Sequence, residues 1–241
     1  MERKAYDLMS QHEASHWWFV ARRNIIDSVI ERDVNLPAQP RILEAGCGTG
    51  GNLALLGSHG EVSAFEYDPD ARQIATRKSG VAVEPGALPD GVNFPDNDFD
   101  MVALLDVLEH IDDDYASLRT LREKLATGGT LLLTVPAAPW LWSEHDELHH
   151  HKRRYTKQVL EKLLADAGFR DVRVRYFNSF LFPLAVVERV LRNLGLRRSG
   201  GTDEVAPWLN RVFERIFSSE ARLLDKVSFP FGLSLCAVAV R

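Results

Sequence analysis

Short apolar segments alternate with amphipathic segments along most of the 241-residue chain. Apolar segments bounded by turn residues predict strands at 41–45, 61–65, 81–83, 99–105, 130–135, 172–177 and 233–240. Apolar residues at helical spacing predict helices at 15–31, 52–56, 69–78 and 156–167, and another that contains Leu118 and ends at Gly128-Gly129. Strands that alternate with helices in this way are typical of an α/β fold, in which a parallel sheet is covered on both faces.

The alternation stops after the sixth predicted strand. Two amphipathic helical patterns follow, one at 184–194 and the other at 208–217. We interpret them as an insertion within a single domain that spans residues 1–241, because a further strand follows them. The predicted parts are an N-terminal helical lid at 1–36, a core at 37–177 and 229–241, and a helical insertion at 178–228.

A glycine-rich segment lies where the first predicted strand turns into a helix. Gly46, Gly48 and Gly50 allow positive φ angles and a close approach of a ligand to the backbone, and the helix that follows begins with unpaired N–H groups. Gly46, Gly48 and Gly51 also have the spacing of the G-x-G-x-x-G dinucleotide fingerprint. The glycines alone therefore leave two classes of nucleotide ligand open.

Acidic residues surround this turn. Glu44 lies two residues before the first glycine, where a carboxylate attracts an ammonium group and repels a pyrophosphate. Glu66 follows the second predicted strand about 20 residues further on and offers two oxygens to ribose hydroxyl groups. Asp106 follows the fourth predicted strand and is expected to face the same crevice. Three carboxylates favour a positively charged ligand, such as a sulfonium that also carries an ammonium group, over a dinucleotide.

Together these segments resemble the successive motifs of the class I S-adenosylmethionine-dependent methyltransferases. The resemblance covers residues 41–135 and rests on 44–50, Glu66, Phe99-Asp100, 106–110 and Gly128-Gly129-Thr130. It implies a Rossmann-like sheet of seven strands with an antiparallel last strand, and S-adenosyl-L-methionine as the cofactor. The function that it implies is methyl transfer by an enzyme of class EC 2.1.1.-.

The same resemblance implies roles for particular residues in cofactor binding. The loop from Gly46 to Gly50 is expected to cradle the methionine part, and Glu66 to bind the ribose. Tyr67 is expected to flank the adenine. Many members have an aspartate just before the position of Ala87, and this chain does not, so adenine recognition is expected to fall to backbone groups there.

Two further segments resemble a bacterial subgroup of these enzymes. They are His16-Trp17-Trp18-Phe19 followed by Arg22-Arg23, and 143–155, which contains His-Asp-Glu at 145–147 and His-Lys-Arg-Arg-Tyr at 151–155. Members of the subgroup are often associated with polysaccharide, glycolipid or secondary-metabolite pathways. The resemblance therefore implies a small, glycan or lipid-linked acceptor, with O-methylation as the first expectation.

Methyl transfer to a hydroxyl group requires a base that removes the proton. Histidine suits this role because its unperturbed pKa lies near neutrality. His145 and His110 are the candidates, since they follow the fifth and fourth predicted strands at the edge where ligands of open α/β sheets bind. His149, His150 and His151 remain alternatives.

Other residues are candidates for contacts with the acceptor. Arg154 and Tyr155 are candidates to bind an anionic acceptor. A solvent-exposed basic surface explains the presence of this basic segment equally well. Trp17 and Trp18 are expected to belong to a packed lid that keeps water from the methyl donor. No metal site is expected, because adjacent histidines point in different directions on any regular element.

The charge distribution along the chain indicates which kinds of partner are expected. The net charge is −5, but residues 1–151 carry −13 and residues 152–198 carry +8. A basic block favours an anionic partner such as a phosphate, a carboxylate or an acidic membrane face. Nucleic acid is not expected, because no recognised binding module accompanies the block. The 178–228 insertion is expected to cap the acceptor or to form a homodimer contact, with peripheral membrane contact as a further alternative.

Two cysteines and the N-terminal composition indicate the compartment. Cys47 and Cys236 lie far apart in the sequence, and the first residues lack the apolar run of a secretion signal. A cytoplasmic protein is therefore expected. Two alternative functions stay open: an NAD(P)-dependent oxidoreductase that uses the glycine turn, and a noncatalytic module that only binds a nucleoside.

Overall fold

The computed structural model describes residues 12–193, 205–224 and 226–241, apart from the side chains of His145, Arg192 and Asn193. Its strands are β1 Arg41–Ala45, β2 Glu61–Glu66, β3 Val83–Pro85, β4 Phe99–Leu105, β5 Leu125–Pro136, β6 Arg170–Phe177 and β7 Ser234–Val240. They form one sheet in the order β3-β2-β1-β4-β5-β7-β6. β7 pairs antiparallel with β5 and β6, whereas β1 to β5 pair in parallel. The predicted α/β fold, a Rossmann-like sheet of seven strands with an antiparallel last strand, is confirmed.

The helices are α1 Trp17–Asp33, α2 Leu53–Gly57, α3 Pro69–Ser79, α4 Asp114–Lys124, α5 Glu144–Leu148, α6 Lys157–Asp166, α7 Phe182–Asn193 and α8 Pro207–Ser219. Side-chain caps and glycines explain where several of them begin and end. At the start of α3, Asp68 accepts hydrogen bonds from the backbone N–H groups of Asp70 and Ala71, both at 2.9 Å. The same helix ends at Gly80, whose φ of 75° an L side chain rarely adopts.

Both faces of the sheet are buried. Successive strand residues point to opposite sides, and the residues on each side belong to a different apolar cluster. In β1, Ile42 belongs to the apolar cluster that contains α1, whereas Leu43 belongs to the cluster that contains α4 and α6. In β4, Met101 and Val102 divide between the same two clusters. The central parallel strands β4 and β5 therefore contain near-continuous apolar runs, as expected for a sheet covered on both faces.

Some sequence-based predictions of local structure were wrong. The helix that was expected to end at Gly128-Gly129 ends at Lys124, and β5 begins at once. A Cβ atom at Gly129 would lie 2.9 Å from the carbonyl oxygen of Phe99, so glycine is needed where β5 approaches β4 and not as a helix cap. β3 begins at Val83 instead of residue 81, and helix α5 was not predicted.

Helices α7 and α8 lie within the predicted insertion. Helix α8 packs against α1: Trp17 contacts Phe213 and Phe217, with ring centroids 5.4 and 6.0 Å apart. The backbone N–H of Trp17 also donates to Asn210 Oδ1 at 2.8 Å. Within the described residues, none of the helices is long and apolar enough to cross a lipid bilayer.

Candidate active site

The glycine loop that follows β1 is tightly closed. Gly46, Gly48 and Gly50 have φ angles of 70°, 54° and 81°. The N–H of Gly46 donates to the carbonyl oxygen of Phe65 at 2.9 Å, which ties the loop to the end of β2. A Cβ atom at Gly46 would lie 2.9 Å from Val107 Cγ1. Glycine is therefore required both by the backbone conformation and by the close approach of the loop that follows β4.

Gly51, the third glycine of the dinucleotide fingerprint, has a different neighbour. A Cβ atom there would meet the carboxylate of Glu13, which is 3% exposed. Glu13 also accepts a hydrogen bond from Thr49 Oγ1 at 3.0 Å and forms an ion pair with Lys78. The close contact with Glu13 thus explains why residue 51 is glycine, and no bound pyrophosphate is needed to explain it.

Glu66 is fixed at the end of β2. Its carboxylate is 8% exposed, and its two oxygens accept hydrogen bonds from the backbone N–H groups of Gly48 and Asp68, both at 2.9 Å. A carboxylate oxygen has a second lone pair, so both oxygens can still accept a hydroxyl group. This arrangement is compatible with the predicted ribose contact and couples it to the glycine loop.

Glu44 is a buried carboxylate with an unused oxygen. It is 1% exposed, and its Oε1 accepts a hydrogen bond from Asn52 Nδ2 at 2.9 Å. Its Oε2 has no hydrogen-bond partner among the described residues. Burial raises the pKa of Glu44 to about 7, although the Asn52 hydrogen bond and the charge of Arg22 oppose the rise. An orphaned buried oxygen fits a ligand that brings an ammonium group, as S-adenosylmethionine does.

Arg22 of α1 neutralises the third carboxylate. Its guanidinium is 2.5 Å from Asp106 Oδ2 and donates to Thr134 Oγ1 at 3.1 Å and to Asn52 Oδ1 at 3.3 Å. The ring of Trp18 lies over the same guanidinium, 5.3 Å from its Cζ. The crevice is therefore less negative than Glu44, Glu66 and Asp106 alone indicate, and α1 forms one of its walls.

The two residues expected near the adenine differ in their environment. Tyr67 is 77% exposed beside Glu66, so its ring has room to flank a base. Ala87 forms an isolated β-bridge with Gly91, in which its N–H donates at 3.1 Å and its carbonyl accepts at 2.7 Å. The backbone donor at Ala87 is thus already used, whereas its carbonyl oxygen retains a second lone pair, so the expected adenine contact there stays a prediction.

Asp146 and His151 form a pair on the acceptor side. Asp146 is fully buried, and its Oδ1 lies 2.9 Å from His151 Nδ1. Asp146 also accepts hydrogen bonds from Ser143 Oγ at 2.9 Å and from Arg154 Nε and Nη2 at 2.7 and 2.9 Å. Although burial opposes ionisation, the hydrogen bonds from His151, Arg154 and Ser143 hold the pKa of Asp146 well below its usual value.

His110, one of the two predicted catalytic histidines, contacts this pair. Its ring centroid lies 4.7 Å from that of His151, and the two planes make an angle of 80°. Burial, together with the charges of His151 and His149, lowers the pKa of His110 to about 4. His110 is therefore neutral near pH 7.

Glu109 completes a cluster beside these histidines. It is 1% exposed, and burial and the charge of Asp106 raise its pKa well above the usual value. Ligand atoms of Glu109, His110 and His151 lie within 4.8 Å of one another, which is close enough to share a metal ion. The charges of two arginines, Arg22 and Arg154, also act on Glu109 and disfavour a cation there.

His145, the other predicted catalytic histidine, is the second residue of α5. Its side chain lies outside the described residues, so its proposed role stays a prediction. The five-residue helix that carries it is acidic, and Asp146 within it is the buried partner of His151.

Three residues expected to contact the acceptor are engaged elsewhere. Arg154 uses its fork on Asp146 and donates to the carbonyl of Ala137 at 3.1 Å. Tyr155 is 2% exposed, and its hydroxyl group donates to Asp114 at 2.9 Å. Trp17 packs against α8, whereas Trp18 faces Arg22. Trp18 thus lies beside Arg22, whereas Arg154, Tyr155 and Trp17 contact other parts of the chain, and the predicted acceptor contacts of all four residues stay predictions.

Sequence reasoning missed Arg22 as a site residue and Asp146 as the partner of His151. Both lie in segments that carried the subgroup resemblance, which was the available signal. Their contacts are non-local: Arg22 and Thr134 are 112 residues apart in the chain. Polar residues at such separations show their pairing only in the folded chain.

Comparisons with known proteins identify the family of this chain. The model of the methyltransferase domain family Methyltransf_23 matches residues 17–174. A ubiquinone biosynthesis O-methyltransferase of Xanthomonas axonopodis is 32% identical over 189 residues, which cover 73% of this chain and 71% of that protein. A probable S-adenosylmethionine-dependent methyltransferase of Mycobacterium tuberculosis is 31% identical over 135 residues, or 54% of this chain and 49% of that protein. The chain spans about half the length of several curated relatives that it matches, among them the Mycobacterium proteins, of which the match covers 49%.

Solved structures resemble the fold. A methyltransferase of Thermotoga maritima matches 98% of both chains with a TM-score of 0.61 at 17% identity. This similarity concerns the fold, while the family match covers the glycine loop, Glu66 and Asp106. The family match favours S-adenosylmethionine over the dinucleotide alternative, in agreement with the orphaned carboxylate oxygen of Glu44. The chain belongs to the S-adenosylmethionine-dependent methyltransferases.

Proposed function

We propose that this chain transfers a methyl group to the hydroxyl oxygen of a small, glycan or lipid-linked acceptor, and that His151 removes the proton. The observation that carries the proposal is the contact between His151 Nδ1 and buried Asp146, at 2.9 Å. An ionised carboxylate accepts hydrogen bonds only, so Nδ1 carries the proton and Nε2 is the basic nitrogen. This is the arrangement by which a carboxylate orients a histidine base.

The other residues of the site bind and align the reactants. Glu44 offers its unpaired oxygen to an ammonium group, Glu66 offers acceptor lone pairs to hydroxyl groups, and Arg22 keeps the Asp106 carboxylate in place. S-adenosylmethionine, when bound, supplies an electrophilic methyl carbon on a sulfonium. His151 Nε2 would take the acceptor's proton as the oxygen–methyl bond forms and the methyl–sulfur bond breaks, its electron pair going to sulfur so that a neutral thioether leaves, and Asp146 would stabilise the resulting imidazolium.

Neutral His110 supports this assignment. A second positively charged ring 4.7 Å away would oppose protonation of His151, and the lowered pKa of His110 prevents this near pH 7. The predicted roles of His110 and His145 as bases are alternatives that the same experiment distinguishes. The Xanthomonas relative is named as an O-methyltransferase, which agrees with an oxygen acceptor.

The test compares turnover with cofactor affinity in three variants. A panel of hydroxyl and amine acceptors is screened with labelled S-adenosylmethionine, and the best acceptor is used with His151→Ala, His110→Ala and His145→Ala. We expect His151→Ala to lower kcat by about 100-fold or more while cofactor affinity is retained. Full activity of His151→Ala, or methylation of amines alone, would contradict the proposal. Cofactor binding without turnover on any acceptor would favour the noncatalytic alternative.

Asp146→Asn tests the orientation of the base separately. The amide can present its oxygen or its NH₂ group to His151, so the tautomer is no longer fixed. We expect kcat to fall with little change in KM for the cofactor, because the base is no longer held in its orientation. Arg154 also loses its partner, so thermal unfolding of this variant is measured to confirm that the chain stays folded.

A further inference from the structure

The exposed side chains that the structure describes on helix α7 are all apolar. Its outward positions are Pro183, Leu184, Val187 and Val190, of which the last three are 53%, 54% and 50% exposed. The polar Arg189 turns the other way and donates to the carbonyl oxygen of Leu141 at 3.0 Å. An apolar stripe of this kind in water is unfavourable unless another surface covers it.

Helix α8 presents a face of different chemistry. Its inner side chains, such as Phe213 and Phe217, pack against Trp17. Its outer side carries Trp208, 67% exposed, and Val212, 41% exposed, together with the exposed arginines Arg211 and Arg215. Helical spacing gives this side of α8 the residues 208, 211, 212, 215 and 219, none of them acidic.

The apolar stripe of α7 starts at the acceptor edge of the sheet. Phe182, the first residue of α7, contacts Trp140 and Phe231, with ring centroids 5.9 and 5.0 Å apart. Trp140 belongs to the connection after β5 that also carries Asp146 and His151, and it is 63% exposed. A surface that covers α7 would therefore lie beside the connection that carries the proposed base.

We propose that the outer faces of α7 and α8 dock on a lipid membrane with anionic headgroups. Apolar side chains beside tryptophan and arginine are the composition of helices that lie in a membrane interface, where arginine attracts the headgroups and the apolar side chains enter the acyl boundary. The inference goes beyond the proposed methyl transfer and does not depend on the acceptor.

Charge distinguishes the membrane from a second copy of this chain. A two-fold contact through α8 would bring Arg211 and Arg215 of both copies together, with no acidic residue on that face to pair with them. Anionic headgroups supply the missing opposite charge, at about 1 kcal/mol, or about fivefold in binding, for each arginine near the surface.

The first experiment measures co-sedimentation of the full chain with vesicles. Vesicles of phosphatidylcholine alone are compared with an equal mixture of phosphatidylcholine and phosphatidylglycerol, at low and high salt. We expect binding to the mixed vesicles, weakened by salt, and at least tenfold weaker binding to phosphatidylcholine alone. Equal binding to both, or binding to neither, would overturn the proposal.

Two double variants test the two faces. Arg211→Glu with Arg215→Glu should lower binding to the mixed vesicles more than tenfold, and Leu184→Ser with Val187→Ser should do the same. The matched controls Arg119→Glu and Val159→Ser change exposed residues on α4 and α6, and should bind like the original chain. Equal losses in the controls would overturn the assignment to α7 and α8.

Sedimentation velocity without vesicles tests the alternative that a second copy of this chain covers the apolar stripe of α7. We expect a monomer whose sedimentation coefficient is unaffected by Leu184→Ser with Val187→Ser. A dimer that dissociates in this variant would show that a second copy covers the stripe, and would overturn the proposal. Thermal unfolding of each variant establishes that the substitutions, all at exposed positions, leave the fold intact.

Discussion

Three acidic residues at the tips of parallel strands have different neighbours. Asp106 is paired with Arg22 at 2.5 Å, and Glu66 is held by two backbone N–H groups. Glu44 is buried with one amide partner, so its ionised form is the costly one. Ionisation of Glu44 therefore adds a negative charge to this crevice as the pH rises through about 7.

The pKa of Glu44 predicts how cofactor affinity varies with pH. Because the folded-state pKa, about 7, lies above the unfolded value, the folded chain without ligand retains the proton and loses stability as the pH rises from about 4.5 to 7. An ammonium group binds the ionised carboxylate, so S-adenosylmethionine affinity should rise about tenfold between pH 6 and pH 8. Titration calorimetry at several pH values measures it.

Glu44→Gln removes the titrating group from the same position. The variant should bind the cofactor weakly, and between pH 6 and pH 8 its affinity should vary less than that of the original chain. Glu31→Gln, at an exposed position of α1, is the matched control and should keep the full pH dependence. A wild-type affinity that is flat over this range would show that Glu44 does not meet a positively charged group.

At the scale of elements, α1 connects the cofactor site with the insertion. One side of the helix provides Arg22 and Trp18 to the crevice, and Trp17 contacts α8. Phe217 of α8 is fully buried and stacks on Phe177 at the end of β6, 6.1 Å between centroids and 15° between planes. The insertion is thus anchored to the sheet and to α1 by aromatic contacts.

Phe217→Ala tests this anchoring. Loss of a fully buried ring that contacts both Trp17 and Phe177 should lower the free energy of unfolding by about 3–5 kcal/mol. The exposed control Val159→Ala should change it by less than about 0.5 kcal/mol. Urea unfolding followed by circular dichroism measures both free energies. A loss in Phe217→Ala as small as that in Val159→Ala would show that α8 is only loosely attached.

The strands and the glycine turn could be predicted from the sequence because their signals are local. Apolar runs with period two or none gave β1, β2 and β4 within one residue, and the spacing of Glu44, Gly46 and Glu66 indicated the crevice. The pairing of Arg22 with Asp106 and of His151 with Asp146 was not predictable in this way, since side-chain partners depend on how helices and loops pack. Gly129 shows the same limit: its glycine is required by a neighbouring strand.

For the whole molecule, one edge of the sheet brings together three segments to which functions are predicted or proposed. The glycine loop and Glu66 lie beyond β1 and β2, Asp146 and His151 lie in the connection after β5, and the insertion follows β6. The carboxyl ends of parallel strands meet at one edge, so this order brings the glycine loop, the proposed base and the insertion to the same edge of the sheet. Family membership explains the glycine loop, whereas the base and the membrane-docking surface are proposals, each with its own test.

Titration calorimetry with S-adenosylmethionine, on the original chain and on Glu66→Ala, tests the central claim most directly. We predict one binding site per chain, at least tenfold weaker binding in Glu66→Ala because the carboxylate both meets the ribose and holds the glycine loop, and unchanged binding in the exposed control Val159→Ala. Affinity for S-adenosylmethionine that is equal in Glu66→Ala and the original chain, or binding of NAD(H) in its place, would contradict the account.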